Sequence, residues 1–241
     1  MCKKIISALG ISLISLLVFA VLVHSEEEKA LLKEDFDNIS SWEPLYFPKI
    51  KEHSSYAVES DDEGSYLKAE SSASASGLVY REKFDVYKFP YAKWRWKVAN
   101  VYAKGDAKNK KGDDYPIRIY IIFKYDPDKA GFRQKIKYKT AKVLYGEYPP
   151  DSALSYIWAN KEYSERILTS KYTKKAKMIL LQKGKTNIGK WQEQEVNILE
   201  DYKKAFGKNP PAVASIAIMN DSDNTRESSV SYVDYMEVYN K

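Results

Sequence analysis

The strongest constraint on the fold of this chain is the alternation of apolar and polar side chains along short segments. In residues 117–125, IRIYIIFKY, apolar side chains take every second position and Arg118 falls on the opposite face. In residues 93–101, KWRWKVANV, Trp94 and Trp96 alternate with basic side chains. A repeat of two residues is typical of β-strands that bury one face, so these segments are predicted to be strands.

About ten segments in all have the composition of strands, and the 20 tyrosines suit a pleated, half-buried surface. One helix is predicted over residues 199–207, LEDYKKAFG, where Leu199, Tyr202 and Phe206 share a face and Gly207 ends the helix. The sequence therefore predicts an all-β fold, a two-sheet antiparallel β-sandwich with one short helix. An all-β barrel is the competing architecture.

The N-terminal segment has the pattern of an export signal. Lys3 and Lys4 precede the apolar residues 5–23, and Val23-His24-Ser25 then offers small residues for cleavage. Residues 1–25 are predicted to be a signal peptide, and residues 26–241 a single β-sandwich domain that is exported to the periplasm or the extracellular space. The alternative is an uncleaved anchor, which would be the protein's only contact with a membrane.

The composition excludes several kinds of site. Cys2, the single cysteine, would be lost with the signal peptide, so disulfides and thiolate metal sites are excluded from the mature domain. His53 would be its only histidine, which excludes zinc sites built on several histidines. The net charge is +6, but no nucleic-acid-binding motif accompanies it, so no nucleic-acid partner is expected.

The first candidate site is the segment NDSDNT, residues 220–225, at the end of a predicted strand. Asp221, Asp223 and Asn224 carry oxygen atoms that can bind a ligand or a hard cation such as Ca²⁺. The same side chains also hold turns by bonding to backbone N–H groups. The segment lacks the glycine and the closing glutamate of an EF-hand loop, which favours the turn.

The second candidate site is DDYPIRIY, residues 113–120. Arg118 is expected to lie half-buried on a strand, and an unpaired buried charge is very costly. Asp114, Asp221 and Asp223 are its candidate partners, and Asp113 lies beside them at the start of the strand. The group would either hydrogen-bond sugar hydroxyls or form an ion pair that fixes the strand register.

Two further features bear on the candidate site. Trp158 ends a predicted strand next to the polar Asn160, so it could stack on a sugar ring or fill the core. Arg95 and Lys97 alternate with Trp94 and Trp96. They would make a ligand groove basic if they shared its face, and would be ordinary surface charges if they faced solvent.

The chain resembles the family known as domain of unknown function 3047. The segments that carry this resemblance are WRWKV (94–98), DDYPIRIYIIF (113–123), LSYIWAN (154–160), DYKKAFG (201–207), IAIMNDSDNT (216–225) and YVDYMEV (232–238). The resemblance implies a concanavalin-like or jelly-roll β-sandwich that is often exported and has no established activity. It supplies no catalytic residues, and Asn220 stands where the family usually has threonine.

The same resemblance suggests a structural Ca²⁺ ion between the terminal strands, as carbohydrate-binding sandwiches often have. Asp35 or Asp37 in the first predicted strand, residues 31–38, and Asp234 in the last would be its ligands, if those strands pair. This expectation rests on fold analogy. The other reading is that these are surface acids near strand ends.

These observations favour a non-catalytic domain that binds a glycan or a cell-envelope polysaccharide. Its predicted ligand-binding residues are Asp113, Asp114, Arg118, Trp158, Asn160, Asp221, Asp223 and Asn224. A polysaccharide-active enzyme is the alternative, for which Glu193 and Glu195 offer two carboxylates on one strand face. A structural protein of the cell envelope is the third possibility.

Overall fold

The alternating segments form strands of a two-sheet sandwich in the computed structural model of the protein. The structure describes residues 29–128, 130–133, 135, 136, 138, 139 and 148–241. The predicted signal peptide, residues 1–25, lies outside the described residues. Within those ranges, no helix has both the length and the apolar character that crossing a membrane requires.

The described residues contain fourteen strands. They are β1 (Lys29–Glu34), β2 (Trp42–Leu45), β3 (Ser55–Asp61), β4 (Gly64–Ser72), β5 (Ala75–Tyr80), β6 (Phe84–Asp85), β7 (Tyr91–Val98), β8 (Arg118–Phe123), β9 (Ser152–Ala159), β10 (Ile167–Thr169), β11 (Ala176–Lys183), β12 (Gln192–Asn197), β13 (Val213–Asp221) and β14 (Ser228–Asn240). A single 3₁₀ turn, Lys110–Gly112, precedes β8.

The strands form two sheets. The six-stranded sheet has the order β12-β7-β14-β4-β3, with β1 paired to β14. The eight-stranded sheet has the order β10-β11-β9-β8-β13-β5-β2, with β6 paired to β13. The predicted two-sheet β-sandwich is confirmed, and the first and last strands do pair, antiparallel.

One pair departs from the antiparallel pattern, because β11 runs parallel to β9. The intervening strand β10 pairs antiparallel with β11 at the sheet edge. The chain thus reverses twice between β9 and β11, which restores its direction. The short strand β10 and the strands β2 and β3 carry too weak an alternation to be predicted from the sequence.

The core lies between the two sheets. Trp94 and Trp96 of β7 meet Ile119 and Ile121 of β8, together with Trp158 of β9, in one buried cluster. The predicted faces of β7 and β8 are therefore confirmed. Burial of such apolar and aromatic side chains is the main favourable contribution to folding.

The opposite side chains of these two strands lie on opposite outer faces of the sandwich. Arg118 and Tyr120 lie on the outer face of the eight-stranded sheet, because Ile119 and Ile121 point into the core. Arg95 and Lys97 lie on the outer face of the six-stranded sheet, where Arg95 pairs with Asp234 and Glu63. The hypothesis that Arg95 and Lys97 make the groove around Arg118 basic is therefore wrong.

The predicted helix is confirmed as α1 (Ile198–Phe206). Asn197 caps its start by accepting a hydrogen bond from the Glu200 backbone N–H at 3.0 Å. Gly207 ends it with φ of 69°, a left-handed conformation that favours glycine. A few residues between 132 and 139 also have helical backbone.

Candidate functional site

The end of β13 divides the polar segment NDSDNT between the two faces of the eight-stranded sheet. Ile216 and Ile218 point into the core, so Asn220 does as well, and Asp221 points to the outer face. Both side chains are almost fully buried. These oxygen-bearing side chains are contiguous in sequence, but they lie on two different faces of the sheet: Asn220 between the sheets and Asp221 on the outer face.

Asn220 lies at the centre of a polar network between the sheets. Its amide nitrogen donates to the Ala69 carbonyl oxygen and to Ser231 Oγ, both at 3.1 Å. Its amide oxygen accepts a hydrogen bond from Ser229 Oγ at 3.1 Å. These bonds join β13 to β4 and β14 of the other sheet, so Asn220 has a structural role.

Arg118 and Asp221 form a buried ion pair on the outer face. Arg118 Nε donates to Asp221 Oδ1 at 2.9 Å, and Arg118 Nη2 donates to the other carboxylate oxygen. The Tyr115 backbone N–H also donates to Asp221 Oδ1, at 3.2 Å. Arg118 is 6% exposed and Asp221 1% exposed. The predicted need of Arg118 for an acidic partner is confirmed, and that partner is Asp221.

Aromatic rings fix the guanidinium as well. The guanidinium carbon lies 4.7 Å from the centre of the Tyr115 ring and 5.7 Å from the centre of the Tyr120 ring. Cation–π contacts of this kind are strengthened where water is excluded. Arg118 is therefore held in one orientation by a carboxylate and two rings.

Asp114 holds the turn that follows β13. One carboxylate oxygen accepts hydrogen bonds from the Asn224 backbone N–H at 3.2 Å and from the Asn224 amide at 2.9 Å. The other accepts from the Thr225 backbone N–H at 2.6 Å. Asp114 is fully buried. The Asp114 carboxylate accepts hydrogen bonds from the residues of the turn, which explains why the segment NDSDNT folds as a turn.

Asn160 and Trp158 do not face the same space as Arg118. Asn160 accepts a hydrogen bond from the Tyr102 backbone N–H at 2.8 Å and donates to the Asp114 carbonyl oxygen at 2.6 Å. Trp158 is fully buried in the core, where its Nε1 donates to the Gly184 carbonyl oxygen at 3.2 Å. A ring without exposed surface cannot stack on a ligand, so this geometry contradicts the predicted stacking role of Trp158.

A cavity of about 670 Å³ opens on the outer face of the eight-stranded sheet. Volumes of about 300–1,000 Å³ are usual for ligand pockets. Of the predicted site residues, Asp113, Arg118, Asp221, Asp223 and Asn224 line the cavity, whereas Asp114, Trp158 and Asn160 do not. Part of the wall is the segment 47–50, from the connection between β2 and β3.

The sequence did not identify several residues of this cavity. They are Ala75, Tyr120, Ser155, Ser170, Tyr172, Ala176, Met178 and Met219, in addition to the segment 47–50. Tyr120 could have been found, because it shares a strand face with Arg118. Tyr172 follows β10 and reaches the cavity through a hydrogen bond to Asn224 Oδ1 at 2.8 Å, for which the sequence has no signal.

Two carboxyl groups of the cavity have raised pKa values. Burial raises the pKa of Asp113, against the opposing influence of Arg118 and of the Tyr115 hydroxyl, which donates to Asp113 Oδ1 at 2.9 Å. Burial raises the pKa of Asp223 as well, and the nearby Asp114 carboxylate raises it further. Both groups are harder to ionise than exposed aspartates.

Asp113→Asn is expected to raise Tm at pH 7. The folded-state pKa of Asp113 lies above its unfolded value, so the charged carboxylate destabilises the fold above that folded pKa, and the cost disappears as the pH falls. Asparagine can still accept the Tyr115 hydrogen bond. The gain in Tm should therefore shrink as the pH falls below the folded-state pKa, and it should be lost by about pH 3.9, the ordinary pKa of aspartate.

Thermal melts from pH 3 to pH 8 would test this prediction, with the exposed Asp62→Asn as the control variant. A lower Tm for Asp113→Asn at pH 7, or a gain that grows in acid, would contradict it.

Carboxylates cluster in two places that are candidate cation-binding sites. Within the described part of the chain, Asp114, Asp221 and Asp223 are the one group of three acids whose oxygens lie within 4.8 Å of one another. Asp114 and Asp221 already accept hydrogen bonds from the turn and from Arg118. The Arg118 guanidinium therefore supplies the positive charge at this cluster.

Asp35, Asp37 and Asp234 line a hollow of about 530 Å³ beside the paired terminal strands. Lys33 and Lys93 also line it, and the Asp234 carboxylate bonds to Arg95. The structural Ca²⁺ site at these acids stays a prediction.

The fold and the cavity define a β-sandwich protein with a ligand-sized cavity on the outer face of its eight-stranded sheet. A family model described as protein of unknown function (DUF3047) matches residues 40–237, and the chain belongs to that family. No curated protein matches the sequence.

Solved structures are similar in fold at low sequence identity. The enzymatically active domain of tailspike protein 4 from bacteriophage CBA120 is 9% identical over 85% of this chain, with a TM-score of 0.40, and this chain spans 20% of it. Lectin I-B4 from Griffonia simplicifolia is 11% identical over 87% of this chain and 99% of its own, with a TM-score of 0.43. The family 30 carbohydrate-binding module of a Clostridium thermocellum cellulosomal cellulase is 10% identical over 86% and 97%, with a TM-score of 0.40.

Proposed function

We propose that this protein is a non-catalytic glycan-binding domain whose site is the cavity on the outer face of the eight-stranded sheet. The observation that carries the proposal is the fixed Arg118–Asp221 pair in the wall of that cavity. A convergent set of polar groups in a largely apolar cavity is typical of a ligand site. The apolar segment at residues 5–23 supports an exported protein, which would meet glycans of the cell envelope.

The chemistry of the wall suits a sugar. A sugar ring presents hydroxyl groups at its edge and an apolar C–H surface on its face. Asp223, Asn224 and Asp113 offer hydrogen-bonding groups, and Tyr120 and Tyr172 offer aromatic surface. Arg118 and Asp221 are already fixed by each other, so little side-chain entropy would be lost when a ligand binds beside them.

Tyr172→Ala is expected to weaken glycan binding about tenfold while leaving stability nearly unchanged, since surface substitutions usually change stability by about 0.5 kcal/mol or less. Tyr172 is 57% exposed and lies at the cavity wall. Tyr87→Ala is the matched control, because Tyr87 is 47% exposed, donates one hydrogen bond to the Pro210 carbonyl oxygen and does not line the cavity.

Screening of both variants and the wild type on a glycan array, followed by titration calorimetry on the strongest ligand, would test the proposal. Equal losses in both variants, or no glycan signal for the wild type, would overturn it. Reducing ends released from a polysaccharide panel by the wild type would instead identify an enzyme.

A further inference from the structure

The unusual group in the cavity is the hydroxyl of Ser155. Ser155 is 2% exposed, and its Oγ has no hydrogen-bond partner among the described residues. It lies on β9 between the core-facing Leu154 and Tyr156, so its side chain points to the outer face. A buried hydroxyl without a partner is costly and uncommon in native proteins.

The neighbours of Ser155 direct it toward the cavity. On the adjacent strands its register partners are Tyr120 of β8 and Met178 of β11, and all three residues line the cavity. Neither neighbour offers it a hydrogen bond. The free hydroxyl therefore faces a space that a ligand can enter.

The charge of the cavity is the second observation. Arg118 is neutralised by Asp221, which leaves Asp113 and Asp223 as the remaining acids of the wall. Within the described ranges, no lysine or arginine forms an ion pair with either of them. Of the described residues that line the wall, the one other cation is the exposed Lys49.

The more distant charges add two cations and one acid. Arg118 and Lys171 face Asp113 beyond ion-pair distance, and Arg118 and Arg226 do the same for Asp223. Asp114 adds a further negative charge near both. The wall itself holds three carboxylates, of Asp113, Asp221 and Asp223, against the two cations Arg118 and Lys49. A ligand carboxylate or sulfate would therefore be repelled beside Asp113 and Asp223, whereas an ammonium group would be attracted.

We infer that the cavity selects a sugar that carries a free amino group, with the ammonium beside Asp113 and Asp223 and a ligand hydroxyl bonded to Ser155 Oγ. This inference rests on the proposed glycan-binding function and specifies its ligand. Among the described residues, side chains donate to Oδ1 of Asp113 and to Oδ1 of Asp223 and to neither Oδ2, which leaves the Oδ2 atoms for the ammonium. Charge-assisted hydrogen bonds of this kind are about twice as strong as neutral ones.

The test compares oligomers of glucosamine with the same oligomers after N-acetylation, and with an oligomer of a uronic acid. The three sugars share ring shape and differ in charge. The glucosamine oligomer is expected to bind at least about tenfold more tightly than the acetylated one, as the gain of one charge-assisted hydrogen bond predicts. Asp223→Asn should remove most of that difference, and added salt should reduce it.

Ser155→Ala is the second arm of the test. It is expected to weaken binding of the glucosamine oligomer about fivefold with an unchanged or higher Tm, because it removes an unsatisfied hydroxyl from the free protein. Ser152→Ala is the matched control on the same strand. Ser152 Oγ is hydrogen-bonded to the Tyr202 hydroxyl at 2.9 Å, so this variant should melt at a lower temperature and bind normally.

Each outcome has a definite meaning. Tyr172-dependent binding that is equal or tighter for the acetylated or uronic oligomer would overturn the inference and leave the proposed function standing. Binding of none of the three oligomers, and of no glycan on the array, would overturn both. A lower Tm for Ser155→Ala, with affinity unchanged, would show that its hydroxyl is structural and would also overturn the inference.

Discussion

Asp221→Ala is expected to lower the free energy of unfolding by about 3–5 kcal/mol, the usual cost of removing one partner of a buried ion pair. The substitution would leave the Arg118 guanidinium, which is 6% exposed, without its carboxylate. It would also leave the Tyr115 backbone N–H without its acceptor. Urea denaturation followed by tryptophan fluorescence would measure the loss.

Two further variants separate this charge effect from a simple loss of contacts. The double variant Arg118→Met, Asp221→Leu should recover most of the stability lost by Asp221→Ala, because apolar replacements of a buried pair are often neutral. Asp234→Ala should cost about 1 kcal/mol or less, because Asp234 and Arg95 are partly exposed and Arg95 keeps Glu63 as a partner. If Asp221→Ala lowers the free energy of unfolding no more than Asp234→Ala does, Arg118 is not a buried charge that requires the Asp221 carboxylate.

Asn220→Ala is expected to lower the free energy of unfolding by about 3 kcal/mol, since each buried polar group left without a partner costs about 1–3 kcal/mol. The Asn220 side chain is fully buried and bonds to Ala69, Ser229 and Ser231 on the opposite sheet. Removing it would leave the Ala69 carbonyl oxygen without this donor. Denaturant unfolding and glycan titration of the same variant would give both stability and affinity.

The affinity for a glycan should be unchanged in Asn220→Ala, because Asn220 points between the sheets and the cavity lies on the other side. Asn220→Thr places a hydroxyl in the network, which can replace part of the hydrogen bonding of the amide, and should lose less stability than the alanine variant. Asn100→Ala, which removes a single hydrogen bond to the Ser228 carbonyl oxygen near the surface, should cost about 1 kcal/mol. A large loss of affinity in a folded Asn220→Ala protein would mean that the two faces of β13 are not independent.

The two predictions concern adjacent residues with different roles. Asn220 connects the two sheets, whereas Asp221 holds a charge in the cavity wall. Adjacent residues of a strand point to opposite faces, which is why one short polar segment supports both the sandwich and the candidate site. The stability of the cavity wall is thus tied to the same strand that joins the sheets.

Much of the fold could be predicted from local patterns. The faces of β7 and β8 followed from the alternation around Trp94, Trp96 and Arg118, and the end of α1 followed from Gly207. The need of Arg118 for a carboxylate followed from the cost of a buried charge. These predictions succeeded because each depends on neighbours within a few residues or on the chemistry of one side chain.

The site itself depended on contacts between distant segments. Trp158 and Asn160 looked like site residues because they end a strand, yet β9 turns the Trp158 ring into the core and Asn160 bonds to the backbone of Asp114. Tyr172 and Met178 reach the cavity only because β10 and β11 lie at that edge of the sheet. Such placements follow from the strand order, which the composition of a single strand does not determine.

The pattern of side chains along each strand is a local property, and it determined that this chain forms two packed sheets, which residues face the core and that Arg118 requires an acid. Strand order and loop path decided the rest: that Asp221 is the acid, that Asp114 holds the turn, and that Ser155 is left with a free hydroxyl in a cavity. The physical reason is the distance along the chain over which each effect acts. Side-chain alternation and charge burial act over a few ångströms of the same chain, whereas a cavity is the space left when segments far apart in sequence pack together.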